Sequence, residues 1–110
     1  MVRGAGHDWV VVQLGAPGVV HRVEIDTNHF KGNFPESASL EGCLAPGAPV
    51  DALSSATWTE LLPRTTLRAH HRHMFSKALR PIGVVSHVRM NIFPDGGVSR
   101  LRIHGTVATA

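Results

Sequence analysis

Residues Val84–Phe93 (VVSHVRMNIF) alternate in character. Val84, Ser86, Val88, Met90 and Ile92 fall on one side of an extended chain; His87, Arg89 and Asn91 fall on the other. Side chains of a strand point to opposite faces with a period of two, so this pattern fits a strand with one face on a core. A helix would scatter the same residues around its axis. Pro94-Asp95-Gly96-Gly97 follows, and its residue types suit a tight turn. Val98–Gly105 then alternates again, with Leu101 and Ile103 inward and Arg100, Arg102 and His104 opposite. The sequence therefore predicts a hairpin over Val84–Gly105.

The remaining chain reads the same way. Trp9–Leu14 (WVVVQL) is almost wholly apolar and β-branched, as in an interior strand. Gly15-Ala16-Pro17-Gly18 predicts a turn. Val19–Thr27 alternates, with Val23 and Ile25 on one face and Arg22, Glu24 and Asp26 on the other. Ser39–Leu44 and Ala56–Leu62 read as short strands, the second ended by Pro63. Leu67–Phe75 can be extended, with His71, His73 and Phe75 on one face, while Ala45–Ser55, with three breakers, reads as an irregular connection. No stretch shows a long helical period. About seven short strands separated by turn signals imply an all-β chain, an antiparallel β-sandwich.

With 110 residues, one domain with one core is expected. The net charge of +3 is small, and no aromatic-rich RNA motif accompanies the basic residues, so nucleic acid is not expected as a partner. Arg64, Arg68, Arg72, Lys77 and Arg80 read as a solvated face. Cys43 is the only cysteine, which suits a reducing compartment and a small core residue. No apolar run reaches membrane-spanning length, and the N-terminus lacks an apolar signal core. A soluble cytoplasmic protein is expected, without a membrane partner.

Chemistry concentrates after the alternation of Val19–Thr27 stops. Asp26, Thr27, Asn28, His29, Lys31 and Asn33 occur within eight residues, and Gly32-Asn33 and Pro35 shape the loop that carries them. Loops leaving rigid strands often carry catalytic groups. Asp and Asn also do nothing more than bond their own backbone in many turns. His70, His71 and His73 supply only two convergent ligands on a strand, fewer than a zinc site uses, so no metal and no cofactor are expected. The row of His87, Arg89 and Asn91 has a plain reading as the solvent face of a sheet.

Two motifs carry a resemblance: Asp26-Thr27-Asn28-His29-Phe30-Lys31-Gly32-Asn33-Phe34-Pro35, and Pro94-Asp95-Gly96-Gly97-Val98-Ser99-Arg100-Leu101-Arg102. With Asp8-Trp9 ahead of Leu14-Gly15, Leu61-Leu62-Pro63 and His87-Val88-Arg89, the chain closely resembles the allantoicases from about His7 to Gly105. The resemblance implies a jelly-roll sandwich like that of galactose-binding modules. It also implies hydrolysis of allantoate to ureidoglycolate and urea in purine breakdown. Allantoicases resemble two tandem copies of such a domain, each beginning upstream of His7. This chain is then expected to be a single repeat shortened at its N-terminal side, closer in wording to the second repeat. A sandwich lacking an early strand should leave an edge bare and associate, as a homo-oligomer or with a second repeat.

For that substrate, Asp26, His29 and Lys31 are the candidate catalytic groups. Asn28 and Asn33 are candidates to bond ureido groups, and Arg89 or Arg100 to hold the carboxylate. The site is expected where the Asp26–Asn33 loop meets the sheet face bearing Arg89. The rival readings are a non-catalytic ligand-binding sandwich and a fold that keeps neither activity.

Overall fold

The computed structural model describes residues 8–28, 35–94 and 97–108. Six strands form it: β1 (Asp8–Asp26), β2 (Ser37–Cys43), β3 (Thr59–Thr66), β4 (Arg72–Phe75), β5 (Val84–Phe93) and β6 (Arg100–Val107). A short 3₁₀ helix, Val50–Ser55, lies between β2 and β3. All pairings are antiparallel, in the order β3-β2-β5-β1-β4, with β6 also on β1. The expected all-β sandwich is what forms.

β1 organises the molecule. Its first part pairs with β5 from Asp8↔Ile92 to Val19↔Val84. Its last residues, Val23 to Asp26, pair with β4. β6 runs along the opposite edge, from Gly18↔Val107 to Asp26↔Arg100. The predicted turn at residues 15–18 is therefore not a turn. A register shift between Gln13 and Gly18 absorbs it as an irregularity in one 19-residue strand. Gly18 and Gly105 are needed there, because a Cβ on either would strike a backbone carbonyl across the β1–β6 pair, that of Thr106 or of Val19. Among the described residues, no strand pairs the edge of residues 10–16 that faces away from β5.

The predicted hairpin over 84–105 also resolves differently. β5 and β6 both exist, but each pairs with β1, on opposite edges. Alternation reveals that a segment is a strand and is blind to its partner. The connection instead fastens to the end of β1, where Ser99 gives both its N–H and its hydroxyl to the Asp26 carbonyl. Pro63 does not end its strand, because β3 is an edge strand, where a missing donor is tolerated. Residues 67–71 turn through His70 (φ 48°), so only Arg72–Phe75 is extended there.

The curl of β1 brings its second half over the first layer. Val23 and Ile25 pack with Ala38 and Leu40 of β2, Leu61 and Leu62 of β3, Leu67, and Val85, Val88 and Met90 of β5. Each Val, Ile, Leu or Met among them, fully buried, stabilises the fold by roughly 1.5–3 kcal/mol before the entropy of ordering it. Ser86, expected in the core row, instead accepts from the Ala45 N–H while Val85 turns inward, beside the register shift at Gly18↔Val85.

Candidate functional site

The face of β2–β5 opposite the core is built from cross-strand rungs. Residues directly opposed in a sheet share a face. One rung runs Trp9–Asn91–Ser39; the next runs Val11–Arg89–Glu41–Glu60. Two-residue spacing sets the rungs about 7 Å apart. The expected polar row is therefore real, but it is not a solvent face. His87 and Asn91 are buried, and Arg89 is only partly exposed. The segment after β2 returns over it: the Trp58 indole N–H donates to the Leu53 carbonyl at 3.0 Å, and the Arg89 guanidinium lies 4.5 Å from the centre of the Trp58 ring.

These rungs floor an open cleft of about 520 Å³ lined by Trp9, Ser39, Glu41, Glu60, Arg89, Asn91 and Phe93. A smaller hollow of about 260 Å³ shares Trp9 and Arg89 and is closed by Leu53 and Trp58. Inside the cleft, Glu41 Oε1 accepts from Arg89 Nε at 3.0 Å, Arg89 Nη2 at 2.9 Å and Asn91 Nδ2 at 2.9 Å. Asn91 Nδ2 also reaches Ser39 Oγ at 3.3 Å. Phe93 is braced from outside by Arg64, whose guanidinium stacks on its ring at 4.1 Å and whose Nε donates to Ser37. Arg64 thus touches this wall while remaining exposed, as expected of the solvated basic run that it begins.

Of the sequence-predicted site residues, Arg89 lies in this cleft, already paired with Glu41. Asp26 and Arg100 lie elsewhere, opposed to one another where β1 meets β6. Asp26 is buried, and its Oδ1 accepts the Asn28 N–H at 2.8 Å, so one oxygen serves the turn. Asn28 follows at the root of the loop. His29, Lys31 and Asn33 lie outside the described residues. Two features went unanticipated. Thr27 is fully buried; its hydroxyl donates to the Arg68 carbonyl at 2.6 Å and accepts the His71 N–H at 3.0 Å, tying the loop root to the turn before β4. Trp9, Ser39 and Glu41 complete the cleft, and the alternation of SASLEG places Ser39 and Glu41 on one face.

His73 is held by both ring nitrogens: Nε2 accepts the Arg68 N–H at 2.8 Å and Nδ1 donates to the Ile25 carbonyl at 3.0 Å. Burial pushes its pKa below the usual histidine value, against the opposing pull of that carbonyl. Binding a metal there would cost both bonds, and among the described residues no three His, Cys, Asp or Glu side chains gather as a metal site. Burial likewise raises the Cys43 thiol pKa, with Arg89 opposing, so the thiol is a poor nucleophile.

A family model described as an allantoicase repeat matches residues 2–108. The chain belongs to the allantoicase family. It is 47% identical over 108 residues to a probable allantoicase of Pseudomonas syringae pv. syringae (strain B728a), covering 96% of this chain and 33% of that protein. It superimposes on the crystal structure of allantoicase from Saccharomyces cerevisiae with a TM-score of 0.76 and 34% identity, over 96% of this chain and 30% of the other. The chain thus spans about a third of the length of these relatives. A chitosan-binding module from Paenibacillus sp. IK-5 shares the fold alone, with a TM-score of 0.65 and 19% identity, over 94% of this chain and 72% of the module. No helix among the described residues is long and apolar enough to cross a membrane.

Proposed function

We propose that this chain is one repeat of an enzyme that hydrolyses allantoate to ureidoglycolate and urea in purine degradation. The observation that carries the reading is the family match along nearly the whole chain, and a polar cleft lined by Trp9 and Arg89, from two of the shorter resembling stretches, is consistent with it. In the reaction, water adds to the central carbon, one carbon–nitrogen bond breaks, and a proton passes to the departing nitrogen, which leaves as urea. Protonating a poor nitrogen leaving group calls for a positioned acid, and activating water calls for a base. Asp26, His29 and Lys31 are the groups we assign to that work, with Asn28 and Asn33 as hydrogen-bonding partners. Arg100 is the better candidate for the substrate carboxylate, since Arg89 already has a carboxylate partner in Glu41.

The repeat functions in this reading beside another repeat or another copy. The β1 edge at residues 10–16, which no strand pairs among the described residues, supports that association, since a long apolar edge is a ready template for a further strand. The setting we assign is the cytoplasm, in keeping with the buried free thiol of Cys43.

Urea release from allantoate tests the activity. His29→Ala should lower kcat by about two orders of magnitude with little change in KM, because a proton-transfer group acts chiefly in the transition state. Arg100→Ala should act mainly on KM. Ligand binding with no urea release would make the chain a binding module instead.

A further inference from the structure

The cleft has a definite inventory of unused hydrogen-bonding groups. Glu41 spends one oxygen on three donors; among the described residues its Oε2 takes none. Asn91 uses its amino group, and among the described residues its carbonyl oxygen is left as an acceptor. Arg89 uses Nε and Nη2, and among the described residues its Nη1 is left as a donor. Trp9 and Phe93 add aromatic surface to the same lining. Among the lining residues the one arginine, Arg89, already holds the Glu41 carboxylate, and Glu60 lies 3.7 Å from Arg80, so the lining offers an anion no arginine without a carboxylate partner.

This set matches one kind of group: flat, uncharged, with a fork of N–H donors beside a carbonyl oxygen. Its N–H groups would meet Glu41 Oε2 and the Asn91 carbonyl, which makes the first bond charge-assisted. Its carbonyl would meet Arg89 Nη1. Its plane would lie against the aromatic walls. We infer that the Trp9–Glu41–Arg89–Asn91 cleft is a subsite for a ureido or primary amide group, which it takes in preference to the carboxylate end of a substrate. Naming the group as an end of the substrate rests on the allantoate reading; the preference of the cleft for an uncharged N–H fork rests on its geometry alone. Glu41 is then a binding residue, and Asn91 both positions it and contacts the ligand.

The experiment uses the 110-residue chain with ethylurea, acetate, methylguanidinium and N-carbamoylglycine as probes. The chain has two tryptophans, and Trp9 and Trp58 both line hollows that share Arg89, so fluorescence reports occupancy directly. Backbone amide shifts locate it. Ethylurea and N-carbamoylglycine should both shift the emission and move the amides of Ser39, Glu41 and Asn91; acetate should not. Glu41→Gln should weaken ethylurea on the order of tenfold, the usual effect of losing a charge-assisted bond. If Glu41→Gln does not fold, Trp9→Leu removes one wall, leaves the Arg89–Glu41 pair in place and should weaken binding in the same direction. Acetate or methylguanidinium moving those amides in preference to ethylurea overturns the inference, as does no response to any probe. Ethylurea binding in a chain that releases no urea from allantoate would keep the subsite and remove the enzyme assignment.

Discussion

Two carboxylates in this molecule sit under arginines, and they do opposite things. Glu24, on the outer face of the second layer, has a side chain only 3% exposed. It draws Arg72 of β4 to Oε1 at 3.0 Å and Arg102 of β6 to Oε2 at 3.5 Å, and Oε2 has no hydrogen bond. Glu41 is 27% exposed, gives one oxygen to three donors and borders a cleft. The first holds two strands to the two edges of β1. The second is held by its neighbours, with capacity to spare. The same residue pair therefore reads as bracing where the carboxylate is covered and as a binding site where it faces a cleft.

The largest effect that would sharpen this contrast is on stability. Glu24→Ala should lower the unfolding free energy by about 2 kcal/mol, measured by urea denaturation, without changing ethylurea affinity. The figure lies below the roughly 3–5 kcal/mol for breaking a fully buried pair, because Arg72 and Arg102 remain 58% and 44% exposed and stay hydrated. Glu41→Ala should cost only about 1 kcal/mol yet abolish the ethylurea response. Equal losses of stability from the two substitutions would erase the distinction.

A smaller effect concerns pH. His73 has its pKa lowered by burial, so the unfolded chain binds more protons there than the folded one does. Its contribution is fully present above the ordinary histidine value near 6.5 and is lost as pH falls below it. The melting temperature should thus drop between pH 7.5 and 5.5, and His73→Gln should reduce the drop. An unchanged drop in the variant would assign the effect to other histidines. The smallest effect belongs to Arg80, whose 3.7 Å contact with Glu60 is exposed on both sides. Arg80→Ala should change stability by less than about 0.5 kcal/mol, and raised salt should remove even that.

Much of the fold was legible from alternation alone. Val88 and Met90 face the core and His87, Arg89 and Asn91 face away, as their spacing requires. What alternation could not carry was pairing. Arg89 meets Glu41 across 48 residues of chain, and no local pattern marks that contact. The breakers at Gly15–Gly18 and Pro63 were legible as breakers, but a register shift and an edge position absorbed them. At the loop, the plain reading of Asp26 as a turn-former holds for one of its oxygens. The residues that floor the cleft were visible individually; only the order of strands showed that Trp9, Ser39 and Asn91 share a rung.

The placement of β1 has a consequence for how the chain is made. Among the described residues, this first strand pairs with β4, β5 and β6, all encoded from Arg72 onward. A nascent chain emerging from the ribosome must therefore carry Trp-Val-Val-Val-Gln-Leu without its native partners for several seconds at ordinary elongation rates. During that interval β2 and β3 can pair with each other, while the apolar first strand offers itself to any passing edge. That exposure ends when β5 and β6 close on β1 from either side.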